Sequence, residues 1–476
     1  MNFKNIVEKV KAYYIIYFGI VLIVKEIGPY SFVPGVINAI FILPAGFLGI
    51  LFVMYDFFDF LKNKKKLTYD KLLIIFTVIL MITTLVNYQY AFTANVKLIL
   101  NEIIYFFVIF NFTRHNSKSL DTIKTFLHWL VGLWFVLVTI SLGMFVTQTE
   151  YIYILENRFH PLRLGFVENR LFGIFSDPNF AATICLVTVA VSLYYLFQKK
   201  EQKRLALNIF FVINIIFQLA FVVLSGSRTG LLELYVVLLF ATFMYTYQFN
   251  FKQNKKMYQK LMISILASGI MFLSAFVSLK IIREVFITVP SYIVESVTTI
   301  ENDGNSSKIK KNRISKKIDL SRADVENSED VSNGRVNIWK TGIKLFNEQK
   351  IIGVGPSREG IVAFAEDKFP DSVIAKTGLS LHSFLVQTLT GTGILGFIVF
   401  FSFFILNMLK IFLHSFKDRK FVYSIDFVFY LITLLISINA VVSSEIVLVN
   451  KIGAFIFWLL LGRVLQAVIN DKAENY

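Results

Sequence analysis

The chain alternates between long stretches almost free of polar side chains and short stretches where charges, glycines and serines gather. A run of roughly 17 to 25 apolar residues is what a helix needs to cross the hydrocarbon of a bilayer. Spans are therefore expected at 8 to 27, 33 to 60, 71 to 88, 96 to 113, 123 to 147, 179 to 198, 205 to 225, 229 to 248, 261 to 280, 383 to 412, 424 to 447 and 452 to 469. The expected fold class is all-α, a polytopic membrane helix bundle of about 12 transmembrane helices. Spans 1 to 9 occupy residues 1 to 280, one large extracytoplasmic loop occupies 281 to 382 between spans 9 and 10, and residues 383 to 476 hold spans 10 to 12 and a cytoplasmic tail.

The large loop is polar from Glu301 to Gly334, a basic half (Lys308, Lys310, Lys311, Arg313, Lys316, Lys317) preceding an acidic half (Asp324, Glu326, Glu329, Asp330), and this part is expected to be flexible. Val336, Trp339, Ile343 and Phe346 then recur at helical spacing. They predict an amphipathic helix over 335–347, on the membrane surface or over the bundle mouth, which Gly353, Gly355 and Pro356 stop. No internal repeat pairs the two halves, which counts against a carrier.

Composition sharpens the class. Of 476 residues, 56% are apolar, 17% charged and 51 are Phe, which rules out a water-soluble enzyme of this size. The net charge of +16 is not a nucleic-acid signal, because in a bilayer Lys and Arg fix topology first. Lys4, Lys9 and Lys11 precede the first apolar core with no small-residue cleavage site after it, so an uncleaved first span is expected. Basic clusters at 62–66, 114–124, 199–204, 252–260 and 417–420 all fall in even-numbered gaps. Both termini are then cytoplasmic, and the gaps at 148 to 178, 226 to 228 and 281 to 382 face outward. The single cysteine, Cys185, can form no internal disulfide.

The outer gaps between 148 and 228 hold Arg158, Arg163, Arg170 and Arg228 and no Lys. Guanidinium makes two-pronged hydrogen bonds to phosphate and stays charged when partly dehydrated, so these arginines suit a diphosphate site; snorkelling or loop capping is the plainer alternative. Arg228 sits in the short turn Leu224-Ser-Gly-Ser-Arg-Thr-Gly230, where Ser225, Ser227 and Thr229 could donate to anionic oxygens or merely serve a helical hairpin. Asp177 or Asn179 suits the N-cap of the sixth span, with Pro178 at its first position; Arg170 is expected to meet an acid such as Glu168 or a substrate. Of the histidines, His160 and His382 face outward. His382, where the loop re-enters the tenth span, could take a proton from a hydroxyl or be a structural hydrogen-bonding residue. Glu445, near the outer end of the eleventh span, is expected to pair with an outer Arg or to act as a carboxylate base. No outer cluster has metal-ligand spacing and no phosphate-binding loop appears, so neither a metal, nor ATP, nor any other cofactor is expected.

The order of outer elements resembles the O-antigen ligase and polymerase superfamily, integral-membrane enzymes acting on polyprenyl-diphosphate-linked glycans. The resemblance lies in Arg170-Leu-Phe-Gly-Ile-Phe-Ser-Asp-Pro-Asn179, Ser225-Gly-Ser-Arg-Thr-Gly230, Gly334-Arg-Val-Asn-Ile-Trp339 with Ile352-Gly-Val-Gly355, and Leu381-His-Ser-Phe384 with Gly393-Ile-Leu-Gly396. It covers roughly residues 165 to 400, while the first five spans match in hydropathy only. It implies a site at the outer boundary, with family arginines at Arg170, Arg228 and Arg335 and a family histidine at His382. Ser383 departs from the Asn that many relatives carry after the histidine. The implied activity is metal-independent glycosyl transfer, with His382, Arg228 and Arg335 catalytic and Arg170, Arg163, Ser227 and Glu445 binding substrate. The implied partners are the polyprenyl-diphosphate-linked oligosaccharide, the bilayer and other polysaccharide assembly proteins, with no nucleic acid. The expected reaction is polymerisation of capsule, exopolysaccharide or O-antigen repeats. A ligase acting on another anchor and a lipid-linked oligosaccharide flippase are the alternatives.

Overall fold

In a computed structural model the described residues are 3–63, 68–154, 161–198, 205–251, 256–301, 318, 320 and 334–474. Arg158, His160 and the charged halves of the 301–334 segment lie outside them. In hydrocarbon every backbone polar group must find its partner within the protein, so the apolar stretches fold as helices. They are α1 (Phe3–Lys25), α2 (Gly35–Asn63), α3 (Lys71–Val86), α4 (Phe92–Ile103), α5 (Asn111–His115), α6 (Ser119–Val146), α7 (Pro178–Phe197), α8 (Leu205–Leu224), α9 (Arg228–Phe251) and α10 (Met257–Glu301). A π-helical stretch, Ile104–Phe110, joins α4 to α5. Beyond the described part of the long loop come α11 (Arg335–Glu348), α12 (Arg358–Lys368), α13 (Val373–Thr377), α14 (Phe384–Lys417), α15 (Arg419–Val422), α16 (Ile425–Val442) and α17 (Ile452–Glu474).

Ten helices among the described residues are long and apolar enough to cross a membrane. The other two expected stretches are also helical: α1, charged in its first half, and the 16-residue α3. The molecule is therefore a multi-pass membrane protein built as a helix bundle. At its centre α16 and α17 are mostly buried, around Trp458, Phe106, Phe110 and Phe403. At its edge α2 and α10 turn most of their apolar surface outward. With 45 residues, α10 extends well past the expected 261 to 280. At 1.5 Å per residue it measures about 67 Å, twice the ~30 Å of hydrocarbon.

The connections that join helices in alternation meet at one end of the bundle, hereafter the loop end. It carries a feature that hydropathy did not suggest, an antiparallel sheet of β1 (Glu150–Tyr153), β2 (Leu162–Val167) and β3 (Arg170–Gly173) in that order. These strands of four to six residues are too short to register against the surrounding apolar runs. The amphipathic helix α11 lies over the bundle, but its buried face is Ile338, Thr341, Gly342 and Leu345. Val336 and Ile343 of the expected stripe are exposed. The rotation follows from Gly342, which abuts Val386 and Leu381 closely enough that any side chain there would collide. Trp339 Nε1 donates to the Leu381 carbonyl at 3.0 Å, fixing the approach to α14.

The tenth span is not one continuous helix. Gly393, at φ 65° and ψ −171°, breaks α14. Such a break exposes backbone groups that hydrocarbon cannot satisfy. They are met by the segment after α11: Val354 N donates to the Thr390 carbonyl (3.0 Å), Gly355 N to Gly391 (3.2 Å), and Ile394 N to Lys350 (2.8 Å). Gly353 lies so close to Gly391 and Gly393 that a Cβ would fall 2.4 Å from backbone. Thr83 and Asn87 of α3 and its C-cap hold the same segment through the carbonyls of Ile352 (2.6 Å) and Gly353 (3.0 Å). Gly353 and Gly355 thus serve close backbone contact with α14, while α11 has already ended at Glu348 with Gln349 as its C-cap.

Candidate functional site

Two cavities open at the loop end, of about 1030 Å³ and about 250 Å³. They share four lining residues: Asp177, His382, Ser443 and Glu445. This ridge between them gathers parts of the chain that lie far apart in sequence.

His382 stands between buried Leu381 and buried Ser383, two residues before α14, with a left-handed backbone at φ 47°. That region is costly for most side chains but tolerated by His, and it turns the residue out of the helix path towards both cavities. Asp177 caps α7, Oδ1 accepting from Asn179 N at 2.9 Å, and so fulfils the expected structural role while also lining both cavities.

The segment Ser443–Lys451, between α16 and α17, supplies the rest. Glu102 of α4 accepts from Leu448 N (2.7 Å) and Val449 N (3.3 Å), and Leu448 itself is left-handed at φ 59°. Gln387 Nε2 donates to the Leu448 carbonyl (3.0 Å), Trp458 Nε1 to the Ile446 carbonyl (2.8 Å), and Tyr105 to Asn450 Oδ1 (2.8 Å). Ser444 bonds Gln387, and Ser443 bonds Asn439. Held on all sides, the segment presents Glu445, buried at 2%, whose Oε1 takes the Lys451 ammonium at 2.7 Å. The expected pairing of Glu445 with an outer Arg is thus corrected: a lysine six residues on reaches it first. Burial pushes the Glu445 carboxyl up to about 7, Lys451 pulling down and Asp177 pushing up further. Burial alone would lower Lys451, but the surrounding carboxylates Glu445, Glu26 and Asp177 prevail and raise it.

The expected arginines separate. Arg335, at the start of α11, lines the small cavity with Asn179 and Thr229. Arg228 is the exposed first residue of α9, beside Thr229, and lines neither cavity. Arg170 donates through Nε to the Ser225 carbonyl and through its terminal nitrogen to Asn179 Oδ1, both at 2.9 Å. Its predicted acidic partner Glu168 instead pairs with Arg163 at 3.0 Å. Arg163 and Arg170 lie over the Phe172 ring at 5.9 and 5.6 Å, outside both cavities. Ser227 is buried, its Oγ accepting from Gly230 N at 3.1 Å, the plainer capping role. Among the expected site residues, His382, Arg335 and Glu445 therefore share a cavity wall, while Arg163, Arg170, Ser227 and Arg228 stand behind or beside it.

The large cavity is lined by cations that the pattern of outer arginines did not point to: Lys25 at the end of α1, Lys97 in α4, Lys451, and Arg358 at the start of α12. The usable signal was Lys97 inside an apolar stretch, since an ionisable residue there is a candidate functional group by default. The arrangement can bind anions on two flanks of an acidic ridge and can accept a proton at His382.

The family model for O-antigen ligase matches residues 213–401. This segment carries Arg228, Arg335, His382 and the Gly393 break, and that part of the chain is similar to the O-antigen ligase family. No curated protein matches the chain.

Proposed function

We propose that this protein is a polysaccharide polymerase, moving a glycan from a polyprenyl diphosphate carrier onto a lipid-linked repeat unit at the outer face of the membrane. The observation that carries the reading is His382 on the ridge between two cavities, with Arg335 on one flank and lysines on the other. An acceptor hydroxyl oxygen attacks the anomeric carbon; the bond from that carbon to the diphosphate oxygen breaks, and its electron pair leaves with the diphosphate. The hydroxyl proton passes to a neutral His382 imidazole. Arg335 neutralises charge growing on the leaving group, with Arg228 at the rim and Arg170 fixing Asn179 behind it. The role that a divalent ion plays elsewhere falls to these cations.

Single displacement inverts the anomeric centre, and NMR of the linkage formed from a defined donor checks it; a retained configuration contradicts the step. Both cavities lie at helix ends and connections, which favours an enzyme over a carrier whose cations line a central passage. His382→Ala is expected to lower transfer about 10²–10⁴-fold with the fold intact. Wild-type transfer by that variant rules the base out. Deleting the gene separates the neighbouring activities: single lipid-linked repeats accumulate for a polymerase, long unattached polymer for a ligase, and repeats on the cytoplasmic leaflet for a flippase.

A further inference from the structure

We infer that the large cavity binds a second diphosphate, that of the lipid-linked acceptor, through Lys25 and Lys97. The inference rests on the polymerase reading and assigns the acceptor half of the same site.

Three observations carry it. First, charge is partitioned. The ridge carries Asp177 and Glu445, the small cavity has Arg335 beyond it, and the large cavity has Lys25, Lys97, Lys451 and Arg358 against one further carboxylate, Glu359. Carboxylates repel phosphates and accept from hydroxyls, so sugars belong on the ridge and the phosphates of two substrates belong on opposite flanks. Glu445 stands with Asp177 and His382 on the wall common to both cavities. Displacement also requires the attacking hydroxyl to arrive opposite the departing diphosphate, which puts the two carriers on different sides of His382.

Second, among the described residues neither lysine is held in an ion pair, although Lys25 feels the charge of its chain neighbour Glu26. Lys451 is paired with Glu445, and Arg358 stands 3.9 Å from Glu359, whereas among the described residues neither Lys25 nor Lys97 has an ion pair. A neutral sugar needs no such cations. Third, their depth suits a lipid headgroup. Lys25 ends α1, and Lys97 is the sixth residue of α4, about 8 Å along the axis from its first residue. Lys25 thus sits at a helix end and Lys97 within two turns of one, near where the phosphates of a lipid-linked molecule lie, and an ammonium is a compact point charge that suits a phosphate without demanding a fixed orientation. The large cavity, at about 1030 Å³, has room for a diphosphate and the first sugars.

The test uses the full-length protein in lipid nanodiscs, with a polyprenyl-diphosphate donor whose own acceptor hydroxyl is methylated. Two acceptors carry the same repeat unit, one on an isoprenyl diphosphate and one as a phosphate-free alkyl glycoside. Wild type should prefer the diphosphate acceptor at least tenfold in kcat/KM. Lys25→Gln with Lys97→Gln should erase that preference through acceptor KM, with donor KM moving less than twofold; a merely structural role would shift both. A further measurement needs no variant: sugar-free isoprenyl diphosphate should compete against the acceptor as well as the donor. Transfer without preference between acceptors, or competition against the donor alone, overturns the acceptor subsite and leaves glycosyl transfer standing. Preference for a different phosphorylated anchor, against which isoprenyl diphosphate does not compete, overturns it in favour of a ligase. Absence of transfer from any polyprenyl-diphosphate donor by wild type overturns the polymerase reading, and the subsite with it.

Discussion

Two connections at the loop end, Leu224–Gly230 and Ser443–Lys451, reverse the ranking that their sequences invite. The Leu224–Gly230 turn has two glycines, two serines and an arginine within seven residues, the composition of an anion-binding turn. Its polar atoms are nonetheless spent locally: the Ser225 carbonyl takes Arg170, and Ser227 caps α9. The Ser443–Lys451 segment has the composition of a polar edge to an apolar run, yet it is gripped by Glu102, Gln387 and Trp458 and holds Glu445 and Lys451 on cavity walls. Residue type nominates a turn. What matters is which polar atoms remain unspent after the backbone has been satisfied.

That contrast can be broken by substitution. Lys451→Met strands a buried carboxylate and should cost about 3 kcal/mol at pH 8, the low end for a buried pair because the ammonium is 37% exposed. At pH 5 Glu445 is protonated and the cost should shrink. Thermal melting in detergent at both values checks it, and an unchanged melt at pH 8 would sink the pairing argument.

Glu445→Gln sharpens the same point. The Glu445 carboxyl is held near 7 against an ordinary 4.5, so its contribution to stability is complete below the ordinary value and is lost as pH rises through about 7. A neutral amide escapes that loss. At about 1.4 kcal/mol per unit the ceiling is about 3 kcal/mol, and hydration from the cavity brings the expected gain of the variant over wild type, from pH 4.5 to 8, to about 2 kcal/mol. Parallel melting curves across that range would contradict the burial of Glu445. The smallest effect belongs to the other turn: Ser227→Ala removes one cap and should cost about 1 kcal/mol in the same assay.

Much of the architecture was legible because bilayer thickness imposes one length scale, and long apolar runs report it directly. The Gly393 break was hidden because the Thr and Gly residues of 388–396 lie within a long apolar run that reads as one span, and the segment that repairs it comes some forty residues earlier. The sheet was hidden because its strands are too short to set a pattern of their own, and what anchors it lies just past β3, where Ile174 N donates to Ser141 Oγ and Phe175 bridges Ile27. At the site, His382 was legible as a polar residue beside a helix start, and Arg335 through the family resemblance alone. Lys25 and Lys451 were not, because a lysine next to an apolar run is ordinarily a topology marker, and only packing separates a topology charge from a ligand; Lys97, within an expected span, was the one legible signal among the three.

The interlock between residues 350–355 and the broken helix also constrains biogenesis. A span opened about two and a half turns from its start is a poor guest for lipid by itself. The strip of chain that seals it is synthesised first. The final third of the protein must therefore mature as one unit, and a truncation falling between the seal and the span should leave neither part stably inserted.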